Sequence, residues 1–393
     1  MPVTPASLQH SADTYRLRLP GPIAVPERVR AAIARPIVSH RGPEFRAIWA
    51  RTIDKLQPIM GTRQPIHILP TSGTGVMEAA LANILAPGER LLVVDNGQWG
   101  GRFATIGRAL GAAIDTITVP WGGVAEPEVI EARLRTHDYR ALVVVHNESS
   151  TGVVGDLATA GRLVRDRPTL LVTDTVSGLA GMDFQMDAWG VDVAVAGSQK
   201  ALMCPPGLGL IAASEKAWSV IRRDNGLPRF FLDLRRARDS YDKGESTFTP
   251  AISLVYGLDA ALDMIGEEGF PNVLARHARL ARGMKAGAAA LGLANFATVP
   301  LADQSNTVAC FHVPEGLDGT RLIRRLYEKH RTVIAGARNQ LQGRMIRIGT
   351  MGAIAEGDIL SDLLHIGDVL AELGHGVSPG AAVAAATAAF QAA

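Results

Sequence analysis

The chain has 393 residues, of which 47% are hydrophobic and 20% charged, and its formal net charge is +2. That length exceeds what one core ordinarily fills, so two domains are expected in an ordinary globular composition. The near-neutral charge, without a basic block, argues against nucleic acid; no apolar run approaches ~18 residues, and the start Met1-Pro-Val-Thr-Pro lacks a charged and apolar leader, so neither a membrane span nor a secretory signal is expected.

In chain order, residues 1–18 read as an irregular arm. The segment Leu19-Pro-Gly-Pro-Ile-Ala-Val-Pro26 then forces extended or turning backbone. A helical pattern runs from Glu27 to about Ala34. Strand-like apolar runs follow at 66–70, 91–95, 114–119, 141–146, 170–174, 191–196 and 208–213. Amphipathic helical stretches lie between most of them, at 76–85, 102–110, 127–134 and 158–165. This alternation predicts an α/β fold, with a mainly parallel seven-stranded sheet between helices. Such sheets bind ligands at the C-terminal ends of their strands. Near residue 250 the texture changes. Helical patterns at 252–266 and 270–291 precede strand candidates at 307–313, 332–335 and 345–348, with helices at 320–330 and 356–373 and an alanine-rich closing helix from 378. The expected organisation is an arm (1–18), a large domain (19–260) and a smaller α+β C-terminal domain (261–393).

Chemistry concentrates at the predicted strand ends. The run Val191-Asp-Val-Ala-Val-Ala-Gly-Ser-Gln-Lys200 ends in one of only six lysines, against 34 arginines. A buried ammonium is costly, and a lysine that sheds its proton is a nucleophile able to form a Schiff base with an aldehyde. Twenty-six residues earlier, Leu170-Leu-Val-Thr-Asp174 puts an acid at the end of another strand. Such an acid either caps a helix or faces a cationic ring nitrogen; at an effective dielectric of 20 the latter gains about 4 kcal/mol at ~4 Å. Thr71-Ser-Gly-Thr-Gly75 follows a strand and opens a helix, which suits a phosphate: Gly73 and Gly75 allow close approach, and Ser72 and Thr74 offer hydroxyls. The same segment partly mimics a dinucleotide fingerprint, with Asp95 ending the next strand, but the third glycine position holds Glu78. A nicotinamide dehydrogenase is therefore a rival reading, and one that leaves Lys200 unexplained. Trp99, in the glycine-rich turn Asp95-Asn-Gly-Gln-Trp-Gly-Gly-Arg102, would stack on a flat ligand ring or join the core. Val143-Val-Val-His-Asn-Glu-Ser-Ser-Thr-Gly152 runs a strand into a polar cluster able to hydrogen-bond a ring substituent, in which His146 reads either as a ring contact or as a satisfied polar residue. The ten histidines show no metal-ligand spacing. Two cysteines, Cys204 and Cys310, cannot build a disulfide framework and suit a reducing cytosol.

These residues together resemble the class V, fold-type I pyridoxal-phosphate aminotransferases, in particular the serine–glyoxylate and alanine–glyoxylate aminotransferases. The resemblance rests on Ser-Gly-Thr-Gly75, His146-Asn-Glu-Ser-Ser-Thr-Gly, Asp174, Gly197-Ser-Gln-Lys200 and Arg347-Ile-Gly, and extends from about Leu19 to the tail. It implies pyridoxal 5'-phosphate as cofactor, with Lys200 holding its aldehyde and shuttling a proton. Asp174 would pair with the ring nitrogen, Trp99 would stack on the ring, and Ser149 would lie near the ring hydroxyl. Val176 and Gln199 would lie near the ring and phosphate, and Ser72, Gly73, Thr74 and Gly75 around the phosphate. Thr249, in Thr247-Phe-Thr-Pro, would reach the phosphate of a neighbouring subunit, which implies a homodimer with composite sites. Arg347 would clamp a substrate carboxylate. Relatives often carry Thr-Asn or Ser-Asn after the Gly-Pro that is Gly21-Pro here, and an aromatic residue in place of Ser246; both positions are expected at the substrate mouth. The implied reaction is ping-pong transfer of an amino group from serine, alanine or aspartate to glyoxylate or a similar small 2-oxo acid, in the cytoplasm. Another pyridoxal-phosphate reaction on a small amine, such as a lyase, a decarboxylase or an aminotransferase using pyruvate, stays open. A cysteine desulfurase would need a mobile exposed cysteine, which neither Cys204 nor Cys310 resembles.

Overall fold

The computed structural model describes residues 15–337 and 341–392. Most of the expected arm, residues 1–14, lies outside them. Its end does not stay irregular: Arg16–Leu17 pairs in parallel with Thr332–Val333. The chain divides into two compact units, one of residues 25–274 and 297–305, the other of residues 1–24, 275–296 and 306–393.

The larger unit is built on seven strands: β1 (Ile66–Leu69), β2 (Arg90–Asp95), β3 (Ala113–Thr118), β4 (Tyr139–Val143), β5 (Leu170–Asp174), β6 (Val193–Gly197) and β7 (Gly209–Ala213). Their order across the sheet is β1-β7-β6-β5-β4-β2-β3. Six run in one direction. Only β7 runs against its neighbours β1 and β6. Every residue of β5, β6 and β7 is buried, as expected of strands covered on both faces and written as unbroken apolar runs. The core joins Val93, Val143, Val172, Val195 and Ile211 of the sheet to Val76, Leu81 and Phe103 of the covering helices. Each such fully buried side chain contributes roughly 1.5–3 kcal/mol.

Residues 35–65 carry no element in the sequence reading, yet Pro43–Met60 is an 18-residue helix. Its buried face, Phe45, Ile48, Trp49, Thr52, Leu56 and Ile59, has helical spacing, with Pro43 at the start and Gly61 at φ 56° ending it. Two shorter helices, Glu215–Ile221 and Leu234–Tyr241, are likewise absent from that reading. Helix Ile252–Glu268 packs on Glu27–Ile33 and Pro43–Met60, so it belongs to the larger unit. The sequence-drawn boundary at 260/261 would have cut it.

The smaller unit holds a three-stranded antiparallel sheet, Val308–His312, Met345–Gly349 and Ala335–Gly336, with Met345–Gly349 in the middle. Helices Gly319–His330, Glu356–Glu372 and Pro379–Gln391 cover it; Phe311, Ile346, Leu322, Leu363 and Phe390 meet in its core. No helix among the described residues is long and apolar enough to cross a membrane.

Candidate active site

The adjacent strands β5 and β6, paired Asp174 to Val195, bring the predicted acid and the predicted lysine to the same sheet edge. After Gly197 the chain doubles back into β7. Ser198 N–H donates to the Leu208 carbonyl (3.0 Å), Cys204 N–H to that of Ser198 (3.1 Å), and Met203 N–H to that of Lys200 (2.9 Å). Met203 takes φ 56° to close this turn, a conformation rare for a side-chain-bearing residue. Lys200 is 8% exposed and Asp174 5%. Asp174 Oδ1 accepts one hydrogen bond, from Val176 N–H at 2.7 Å. Burial pushes the Asp174 carboxyl up to about 6, opposed by that hydrogen bond and by the positive charges of Lys200 and Arg102.

The glycine turn opens the helix Gly73–Ile84. Ser72 caps it, its Oγ accepting from Gly75 N–H at 3.2 Å. Ser72 and Thr74 are exposed. A side chain on Gly73 would press on Val176 at 3.0 Å, and one on Gly75 would collide with the Thr71 hydroxyl. Val176 thus stands against the glycine turn, as the predicted grouping requires. Gln199 Oε1, two residues past the end of β6, is buried with no hydrogen-bond partner.

Trp99 does not sit in a turn. It occupies the first turn of the helix Gln98–Ala109, which begins four residues before the predicted start at 102. The reason lies fifty residues away. Glu148, 1% exposed, accepts from the N–H groups of Trp99 (2.9 Å) and Gly100 (3.3 Å), and from Ser150 N–H (3.1 Å) and the Ser150 hydroxyl. A carboxylate from a distant loop therefore caps this helix, where the local residue Gly97 has no side chain to do so. Gly97 is required there, because a Cβ would collide with the Glu148 carboxyl. Burial pushes Glu148 up to about 7, against the donors that favour its charged form. Trp99 Nε1 donates to Ser149 Oγ at 2.9 Å, so two predicted ring contacts are bonded to each other. Sequence reasoning missed both Glu148 and Arg102. The acid inside the His146-Asn-Glu-Ser-Ser motif was a signal for the first. For Arg102, three residues past Trp99, the helical spacing was one.

His146 packs against Phe184 and Trp189, with ring centroids at 5.4 and 6.0 Å. Burial holds it neutral, down to about 4, which fits a core residue. Cys204 is buried, its thiol pushed up to about 12 and its Sγ 3.5 Å from the Leu254 carbonyl, so it is no exposed nucleophile. Thr249 is exposed, and among the described residues of its unit no hydrogen bond joins it to another predicted residue; beside it Phe248 stacks on the exposed Phe231 and meets the exposed Phe230 at a tilt. Ser246 is buried, its hydroxyl turned to the Phe248 carbonyl at 2.8 Å. Arg347 and Gly21 belong to the smaller unit. There the Arg347 guanidinium donates to the Gly336 carbonyl (3.0 Å from Nη2), and Gly21 has φ 107°.

The aminotransferase class-V family matches residues 27–351. The chain is 38% identical over 360 residues to an uncharacterized aminotransferase of Methanocaldococcus jannaschii, covering 91% of this chain and 93% of that protein. It is 36% identical over 380 residues to the serine–glyoxylate aminotransferase of Arabidopsis thaliana, covering 95% and 94%. Among solved structures, the ureidoglycine–glyoxylate aminotransferase of Bacillus subtilis superposes with a TM-score of 0.91 at 27% identity, covering 96% of this chain and 98% of that one. The residues present fit pyridoxal phosphate. The space kept clear at Gly73 and Gly75 and the buried acid beside a buried lysine each answer a part of it. The nicotinamide alternative falls with this match, and the chain belongs to the class-V aminotransferases, pyridoxal-phosphate enzymes that transfer amino groups.

Proposed function

We propose that this enzyme moves an amino group from a small amino acid (serine, alanine or aspartate) to glyoxylate or a similar small 2-oxo acid, with Lys200 as the reactive amine. The observation that carries the reading is the pairing of a buried Lys200 with a buried Asp174 on neighbouring strand ends. Support for the acceptor comes from the relatives: the Arabidopsis and Bacillus enzymes differ in the donor they are named for and share glyoxylate.

Bound pyridoxal phosphate supplies an electrophilic aldehyde and a ring that takes up the electron pair of the broken Cα–H bond. Lys200 Nζ is the amine that would hold the aldehyde, and the same nitrogen would carry the proton taken from and returned to the substrate carbon. Asp174 would hold the ring nitrogen in its protonated form, and a cation beside its carboxyl would favour the charged carboxylate. Ser72, Gly73, Thr74, Gly75 and Gln199, the last through its amide N–H, would hold the phosphate, and Val176 would contact the ring. Trp99, tethered to Ser149, would stack on the ring. Arg347 is the carboxylate clamp on the strength of its motif, and Gly21 shares the substrate mouth on the same ground. A second copy of the chain completes each site through Thr249; its exposure beside the open aromatic cluster of Phe230, Phe231 and Phe248 supports a homodimer. A cytoplasmic setting is part of the same reading, both cysteines being buried thiols.

The test mixes each amino acid in turn with holoenzyme and follows loss of the visible absorbance, then adds glyoxylate or pyruvate to restore it. Serine, alanine or aspartate should bleach the band and yield the matching 2-oxo acid, and glyoxylate should restore it faster than pyruvate. Release of ammonia or carbon dioxide without a recoverable amine on the cofactor would overturn amino transfer to an oxo acid.

A further inference from the structure

The residues assigned above to the phosphate, Ser72, Gly73, Thr74, Gly75, Gln199 and Thr249, are all uncharged. A phosphate bearing close to two negative charges is held more strongly when a cation contacts it, and Lys200 is committed to the aldehyde. Arg102 stands three residues beyond Trp99 on the same helix. Its guanidinium lies 4.4 Å from the centre of the Trp99 ring, and its Nη1 donates to Thr74 Oγ1 at 2.9 Å. It bridges the ring-stacking residue and the glycine turn. Elsewhere the half-buried Arg16 and the exposed Arg51 are paired with aspartates. Arg102 has no carboxylate within salt-bridge distance among the described residues, and its positive charge is felt at Asp174.

We infer that Arg102 is the cation that recognises the cofactor's phosphate, held in place by Trp99 and Thr74. The inference rests on the pyridoxal-phosphate reading above. Thr74 is the first contact and the phosphate the second. The planar fork can donate to both at once, whereas a lysine could not stack on the indole in the same way. The indole keeps the guanidinium from swinging into solvent, so little side-chain entropy remains to be lost when the anion arrives.

The test compares two ligands that share the ring and the aldehyde and differ only in the phosphate. Full-length wild type and R102M are stripped of cofactor and titrated with pyridoxal phosphate and with pyridoxal, reading tryptophan quenching and aldehyde absorbance. R102M should weaken pyridoxal phosphate by about 10- to 100-fold, the value of one charge-assisted hydrogen bond. Pyridoxal binding should stay within about 2-fold, and inorganic phosphate should promote pyridoxal binding to wild type but not to R102M. If R102M fails to fold, R102Q, which also removes the charge, supplies the same comparison. Equal weakening of both ligands would mean that Arg102 only props Trp99; unchanged affinity for pyridoxal phosphate would also overturn the assignment. If wild type binds neither ligand, the cofactor reading itself falls, a result distinguishable from failure of Arg102 alone.

Discussion

Two buried aspartates in this molecule have opposite surroundings. Asp362, in the smaller unit, has a fully buried side chain and is met by Arg16 Nε at 3.1 Å and Arg18 Nε at 2.5 Å, with Asp358 sharing the same pair of arginines. Burial pushes its carboxyl up, and two guanidinium groups pull it back. Asp174, in the larger unit, has one backbone hydrogen bond, with Lys200 and Arg102 acting on it only through their charge. The first acid has spent its hydrogen-bonding capacity on its own chain; the second keeps capacity for a ligand. A buried charge that the chain satisfies by itself holds structure together, whereas one left short of partners marks where another molecule belongs.

That contrast breaks most sharply at Lys200. K200A should abolish the visible absorbance and lower turnover by more than about 10⁴-fold, measured on protein whose melting temperature matches wild type. Retained colour and turnover would remove the amine from the mechanism.

The two aspartates come next. D174N should lower kcat/KM by about 10²- to 10³-fold, the worth of one ion pair to the ring, with little change in melting temperature. D362N should do the reverse, costing about 3–5 kcal/mol of stability and leaving the absorbance band where it was. The pH dependence sharpens this. A carboxyl raised to about 6 is largely protonated below that value and unable to hold a cationic ring. Cofactor affinity should therefore fall as pH drops through about 6 in wild type, and that step should vanish in D174N. By linkage, the raised value also means that stability of the cofactor-free chain declines as pH rises from about 4 to 6, because the folded state binds the extra proton there.

The smallest expected effect is at Glu148. E148Q turns one acceptor into a donor facing the helix start, and should cost about 1 kcal/mol by loss of a cap. Because Trp99 is in that first turn, the change should also shift tryptophan emission and weaken cofactor binding by a few-fold; a melting shift with unaltered emission would separate the cap from the ring contact.

The parts of this molecule legible in the sequence were those with local causes. The seven strands showed as strand-like apolar runs, and Asp174 and Lys200 showed as polar residues at their ends. The glycine turn and its following helix showed through Gly73 and Gly75. What stayed hidden depended on contacts between distant segments. The helix of Trp99 has no local capping side chain, so its true start cannot be read until Glu148 is brought across from residue 148. Arg102 reads as an ordinary helix-surface cation until Thr74 and Trp99 close around it. Helix Pro43–Met60 is a different case: its period and its starting proline were on view, and no element was assigned there.

In the seven-stranded sheet β7 alone runs against its neighbours. Had β7 been parallel to β6, a crossover of a dozen residues or more would separate them. Instead residues 198–208 form a single loop that carries Lys200 and is closed at its base by Ser198 N–H to the Leu208 carbonyl. The lysine's position thus depends on one hydrogen-bonded loop and not on a covering helix.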